Sequence, residues 1–103
     1  MDRLRLEVSK DLQDIMPVFL DTVANNISSI RDALQSGDFE TIRTLGHRMK
    51  GAGGGYGFDR VTELGREIEK AAKEKDADRC RALNEELAEL MANTEIVFVD
   101  KPL

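Results

Sequence analysis

Residues 16–36 read Met16-Pro17-Val18-Phe19-Leu20-Asp21-Thr22-Val23-Ala24-Asn25-Asn26-Ile27-Ser28-Ser29-Ile30-Arg31-Asp32-Ala33-Leu34-Gln35-Ser36. The apolar positions Met16, Leu20, Val23, Ile27, Ile30 and Leu34 recur in steps of four and three. That spacing keeps them on one side of a helix and predicts an amphipathic helix over the whole stretch. Pro17 lacks an N–H and disfavours helix before it, so it suits a first turn. Ser36-Gly37-Asp38 then stops this helix and starts the next, with Gly in the C-terminal cap and Asp as N-cap.

Outward from this helix the pattern repeats. A second helix is expected from Phe39, with Ile42, Leu45, Met49, Ala52 and Tyr56 on one side. It should fade between Gly53 and Gly57, where glycines accumulate. A third is expected from Phe58 or Asp59 to Lys75, with Phe58, Val61, Leu64, Gly65, Ile68 and Ala72 inward. A fourth runs from about Asp76 to Thr94, with Cys80, Leu83, Leu87, Leu90 and Met91 inward. The charged positions of the third and fourth helices read as a solvated face. Near residues 10–15 a short helix is expected, capped by Ser9 or Asp11. Leu4–Val8 alternates apolar and polar, and Ile96–Val99 is β-branched and aromatic, so both ends look extended. The fold expected is all-α: an antiparallel up-down four-helix bundle, with room for short extended segments at both termini. These are expected to meet as an antiparallel pair. The 103 residues are read as one domain, the core bundle spanning about 16–94.

Composition narrows the function. Lys and Arg number 15 against 20 Asp and Glu, a formal charge of −5. That argues against nonspecific binding to nucleic acid or to an anionic membrane. One Cys and one His exclude an internal disulfide and a Cys/His zinc centre, so no metal and no cofactor are expected. No apolar run reaches the ~20 residues of a membrane span, and Met1–Asp11 lacks the apolar core of a signal peptide. A cytoplasmic monomer is the expectation.

The chemistry concentrates in Leu45-Gly46-His47-Arg48-Met49-Lys50-Gly51-Ala52-Gly53-Gly54-Gly55-Tyr56-Gly57. On a wheel of ~100° per residue, Lys50, Gly51 and Gly54 fall beside His47. Arg43 and Thr44 fall on its other side, and Leu45, Met49, Ala52 and Tyr56 fall opposite. His47 is thus expected to face solvent, with a cation one turn away and bare backbone around it. An exposed imidazole is a nucleophile near neutral pH. A phosphoryl group placed on it would add up to about two negative charges, which Lys50 can partly neutralise. The glycines match neither the dinucleotide-binding pattern nor the P-loop. The chain is therefore expected to accept and hand on phosphate, not to generate it from nucleotide.

At these residues the sequence resembles a family. His47-Arg48-Met49-Lys50-Gly51, with Gly57 six residues on, is similar to the H-x-x-K-G-(x)5-G signature of histidine-containing phosphotransfer (HPt) domains. Gly37-Asp38 before this helix, and Leu64, Gly65 and Glu67-Ile68-Glu69 after it, look family-like too. The resemblance covers roughly residues 16–93. It implies a phosphorelay intermediate on a four-helix bundle, not an enzyme with its own nucleotide site. His47 would match the phosphoacceptor and Lys50 the phosphate-stabilising lysine. Gly51 would match the glycine that leaves room for a partner, and Gly57 the turn glycine. The implied partners are a response-regulator receiver domain, whose aspartate exchanges the phosphoryl group, and a histidine kinase. Gly51, Gly54, Arg43 and Thr44 are the candidate docking residues. The competing reading is a non-catalytic helical adaptor, for which neither His47 nor Lys50 would be needed. A metal or redox role is all but excluded by one His and one Cys.

Overall fold

The computed structural model describes residues 3–100. Strand β1 (Leu4–Ser9) leads through a 3-10 turn (Lys10–Leu12) to α1 (Met16–Ser36). Then come α2 (Phe39–Ala52), a second 3-10 turn (Gly53–Tyr56), α3 (Asp59–Lys73), α4 (Ala77–Asn93) and β2 (Thr94–Val99). The helix boundaries follow the capping residues. Gly37 adopts φ 69°, which glycine tolerates best, and its N–H closes back on Ala33 and Leu34. Asp38 then accepts the Thr41 amide at 3.1 Å and its hydroxyl at 2.6 Å. Asp76 caps α4 through the Arg79 amide at 3.1 Å. At the N-terminal turn, Ser9 Oγ accepts the Asp11 amide at 3.2 Å. α2 stops at Ala52, where the glycines tighten the chain into the 3-10 turn, and Gly57 at φ 74° ends that turn.

α1 packs on α2 and α4, α2 on α3, and α3 on α4. The core between them holds Met16, Val23, Ile27, Ile30, Ile42, Met49, Val61, Leu64, Ile68, Cys80 and Leu87. One expectation shifts on α1. Leu20 and Leu34 are only half-buried, and Phe19 and Ala33 are buried in their place. A strict 3.5-residue seam drifts around a straight helix by ~20° per heptad, so the buried stripe moves off it. Phe19 stacks on Tyr56 with ring centroids 4.3 Å apart and ties the second 3-10 turn to α1. Among the described residues, no helix is long and apolar enough to cross a membrane.

The two extended ends do meet, but in parallel. Leu4 pairs with Thr94 and the register runs to Ser9 opposite Val99. The expectation of an antiparallel pair fails because β1 does not run straight into α1. The 3-10 turn and residues 13–15 lie between them, which frees the strand direction from the helix direction. Parallel strands need a long crossover, and here the whole bundle serves as one. Leu6, Val8, Ile96 and Phe98 share the sheet face that packs on the helical core. β2 also begins at Thr94, two residues before the expected start, as a direct continuation of α4.

Candidate functional site

α2 and α3 are drawn together by two glycines. A β-carbon built on Gly46 would lie 2.8 Å from the Glu69 amide nitrogen and 2.9 Å from the Gly65 carbonyl oxygen. One built on Gly65 would lie 2.6 Å from the Lys50 amide nitrogen and 2.8 Å from the Gly46 carbonyl oxygen. No side chain fits between the helices there. This close approach lets a short side chain on α3 reach the exposed stripe of α2.

That side chain is Glu69. Its carboxylate is only 9% exposed and bridges two groups of α2. Oε2 lies 2.8 Å from His47 Nδ1, and Oε1 accepts a hydrogen bond from Lys50 Nζ at 2.8 Å. The Lys50 ammonium chiefly holds the Glu69 carboxyl down at about 2. The His47 hydrogen bond and the field of Lys73 add to this, against the opposing effect of burial. Glu69 is therefore ionised across the neutral range and can only accept. In a neutral His47 ring, Nδ1 then carries the proton and Nε2 the lone pair. The imidazole side chain is 65% exposed. Its orientation is thus set from the buried side while most of the side chain stays open to solvent.

His47, Gly51 and Gly54 are exposed as expected, and Lys50 is half-buried beside them. A β-carbon placed on Gly51 would have nothing within 4 Å, and one on Gly54 only Thr62 Oγ1 at 3.9 Å. Gly54 lies in the 3-10 turn rather than in α2. Arg43 and Thr44 are half-buried and both turn toward the start of their own helix. Arg43 is paired with Glu40, and the Thr44 hydroxyl donates to the Glu40 carbonyl at 3.0 Å. Arg43 and Lys73 share a cleft of about 750 Å3 between the start of α2 and the end of α3, and His47 is not among its walls.

Glu69 corrects the expectation that the acids of α3 are a solvated face. The signal lay in the spacing. Glu69 stands four residues after Gly65 and three before Ala72, in the stripe that also holds Val61 and Ile68. An acid in a buried stripe calls for a cation or donor opposite it.

A model of one protein family, described as the Hpt domain, matches residues 14–94. Comparison with curated proteins and with solved structures gave no match. The matched span takes in all four helices, the His47–Glu69–Lys50 cluster and the paired glycines beneath it, and the chain belongs to the Hpt domain family.

Proposed function

We propose that the chain is a phosphorelay carrier, with His47 as phosphoacceptor. The observation that carries this reading is the Glu69 carboxylate on His47 Nδ1, with the rest of the ring exposed. The Nε2 lone pair attacks the phosphorus of an aspartyl phosphate on a receiver domain. The bond from phosphorus to the aspartate oxygen breaks, and its electron pair leaves with the carboxylate. The ring keeps its Nδ1 proton and gains positive charge, which the Glu69 carboxylate offsets. The reverse step regenerates the neutral imidazole. Lys50, one turn along α2, supplies positive charge beside the incoming phosphoryl oxygens. Gly51 and Gly54 leave clearance for the receiver, and Arg43 and Thr44 flank the opposite side of the contact.

In this reading the protein carries phosphate without generating it, so it is not an enzyme in the sense of a nucleotide-dependent kinase. The four helices form an antiparallel up-down bundle, which the short links at Gly37-Asp38 and at residues 74–76 support. A cytoplasmic setting accords with the acidic, single-cysteine composition.

The test mixes the protein with a phosphorylated receiver and follows the label. Transfer to wild type, as an acid-labile and base-stable adduct, and none to His47→Gln is the expected result. A complex that forms without transfer would leave the non-catalytic adaptor in its place.

A further inference from the structure

The terminal sheet has only two strands, and one edge of β1 is open. Among the described residues, no backbone group of Leu4–Val8 is hydrogen-bonded outside the ladder with β2. Two six-residue strands are a marginal sheet, and a third strand is the usual remedy. At the start of β1 lies a groove of about 410 Å3, walled by Leu4, Arg5 and Leu6 of β1, Thr94 of β2, and Phe58 and Leu90. Leu4 stands at its rim, 55% exposed.

The charges on β1 identify what this edge accepts. Arg5 and Glu7 alternate with Leu4, Leu6 and Val8 and so share the other face of the strand, Arg5 exposed and Glu7 half-buried. Neither makes an ion pair among the described residues. Arg5 is level with Glu95 across the ladder, and Glu7 is level with Val97. Consider a second β1 laid antiparallel along the open edge, with the two-fold axis at Leu6. Arg5 then faces Glu7 of the second copy, and Glu7 faces its Arg5. Leu6 faces Leu6, and exposed Leu4 faces Val8. Opposite charges and apolar pairs coincide from Leu4 to Val8 in a single register. The outer edge of β2 offers no such match, because its only charge is Glu95.

We propose that two copies of this chain associate through antiparallel pairing of their β1 strands. The product is a four-stranded sheet in the order β2-β1-β1-β2, and a self-complementary contact of the kind two-fold dimers use. It differs from the monomer expected from the sequence. It stands apart from the phosphotransfer reading, because β1 carries none of the residues of the His47 cluster.

Charge reversal tests it on the full chain. Each substitution acts twice in a two-fold interface. Glu7→Arg sets two guanidinium groups opposite each other at both crossings, and Arg5→Glu sets two carboxylates there. Sedimentation equilibrium of wild type over a wide concentration range should show a reversible dimer. Each variant alone should dimerise about tenfold more weakly or worse. Mixing the two variants pairs unlike charges again, two guanidinium groups on one strand against two carboxylates on the other. A heterodimer near wild-type affinity should therefore form. Helical circular dichroism checks each fold. Glu7→Arg decides the matter even if Arg5→Glu disturbs its own sheet beside Glu95, because Glu7 faces only Val97 there. A wild type that stays monomeric overturns the proposal. So does a dimer indifferent to Glu7→Arg, or a mixture of two folded variants that fails to pair.

Discussion

Gly46 and Gly65 touch backbone to backbone where α2 meets α3, and the His47 cluster depends on that contact. Glu69 follows Gly65 by one helical turn, and Lys50 follows Gly46 by one turn. The carboxylate reaches both His47 and Lys50 because nothing holds the helices apart.

Gly65→Ala should therefore damage stability and site together. The new methyl meets main-chain atoms at 2.6–3.0 Å, and main chain cannot rotate away as a side chain can. Overpacking of this kind costs about 1–3 kcal/mol. It outweighs the ~1 kcal/mol that Ala would otherwise contribute inside a helix. Thermal unfolding should show the loss. The imidazole nitrogen shifts of His47 should show weakening of the Nδ1 hydrogen bond. An unchanged melting temperature would mean that α2 and α3 separate easily.

The pH dependence follows from Glu69. Its carboxyl is held at about 2 against an ordinary 4.5, with Lys50 the main cause. The folded state thus binds fewer protons than the unfolded chain between these values. Stability from this group is fully present above about pH 4.5 and is lost as pH falls toward 2. Glu69→Gln cannot titrate and should flatten that part of the curve. The same variant no longer presents a full negative charge to Nδ1, and transfer from a receiver should slow by roughly 10- to 100-fold. Acid unfolding curves that superimpose for the two proteins would exclude the carboxylate as their source.

The helices and the exposed histidine were legible because each is encoded locally. Period, cap and glycine are read within a few residues of the place where they act. Glu69 was not, because its partners lie 19 and 22 residues away. Its burial becomes readable only when it is placed in the stripe of Gly65 and Ala72. The strand direction was hidden for another reason. The six residues between Ser9 and Met16 decide it, and their apolar pattern says nothing about how far the chain turns.

β1 should count as part of the core rather than as a tail. Val8 is 2% exposed and belongs to the same apolar cluster as Met16 and Phe19. Val8→Ala should lower stability by about 1–3 kcal/mol and should speed amide exchange in both strands. Loss of strand protection with an unchanged melting temperature would show that the sheet and the bundle unfold independently.

Gly51 should govern docking rather than stability. It lies one turn beyond His47 on the exposed stripe, with nothing within 4 Å of where a side chain would begin. Its backbone is helical, without the positive φ of Gly37 or Gly57. Ala there should therefore hold or raise the melting temperature, by up to ~1 kcal/mol in stability. A longer side chain projects into the space a receiver must enter to bring its aspartate to Nε2. Gly51→Gln should slow transfer from a receiver while sparing reaction with a small phosphodonor, which needs less clearance. Both rates are measured on the same variant. Equal losses with the two donors would mean that Gly51 supports the imidazole itself. Loss with the receiver alone would locate the obstacle in the approach of the partner.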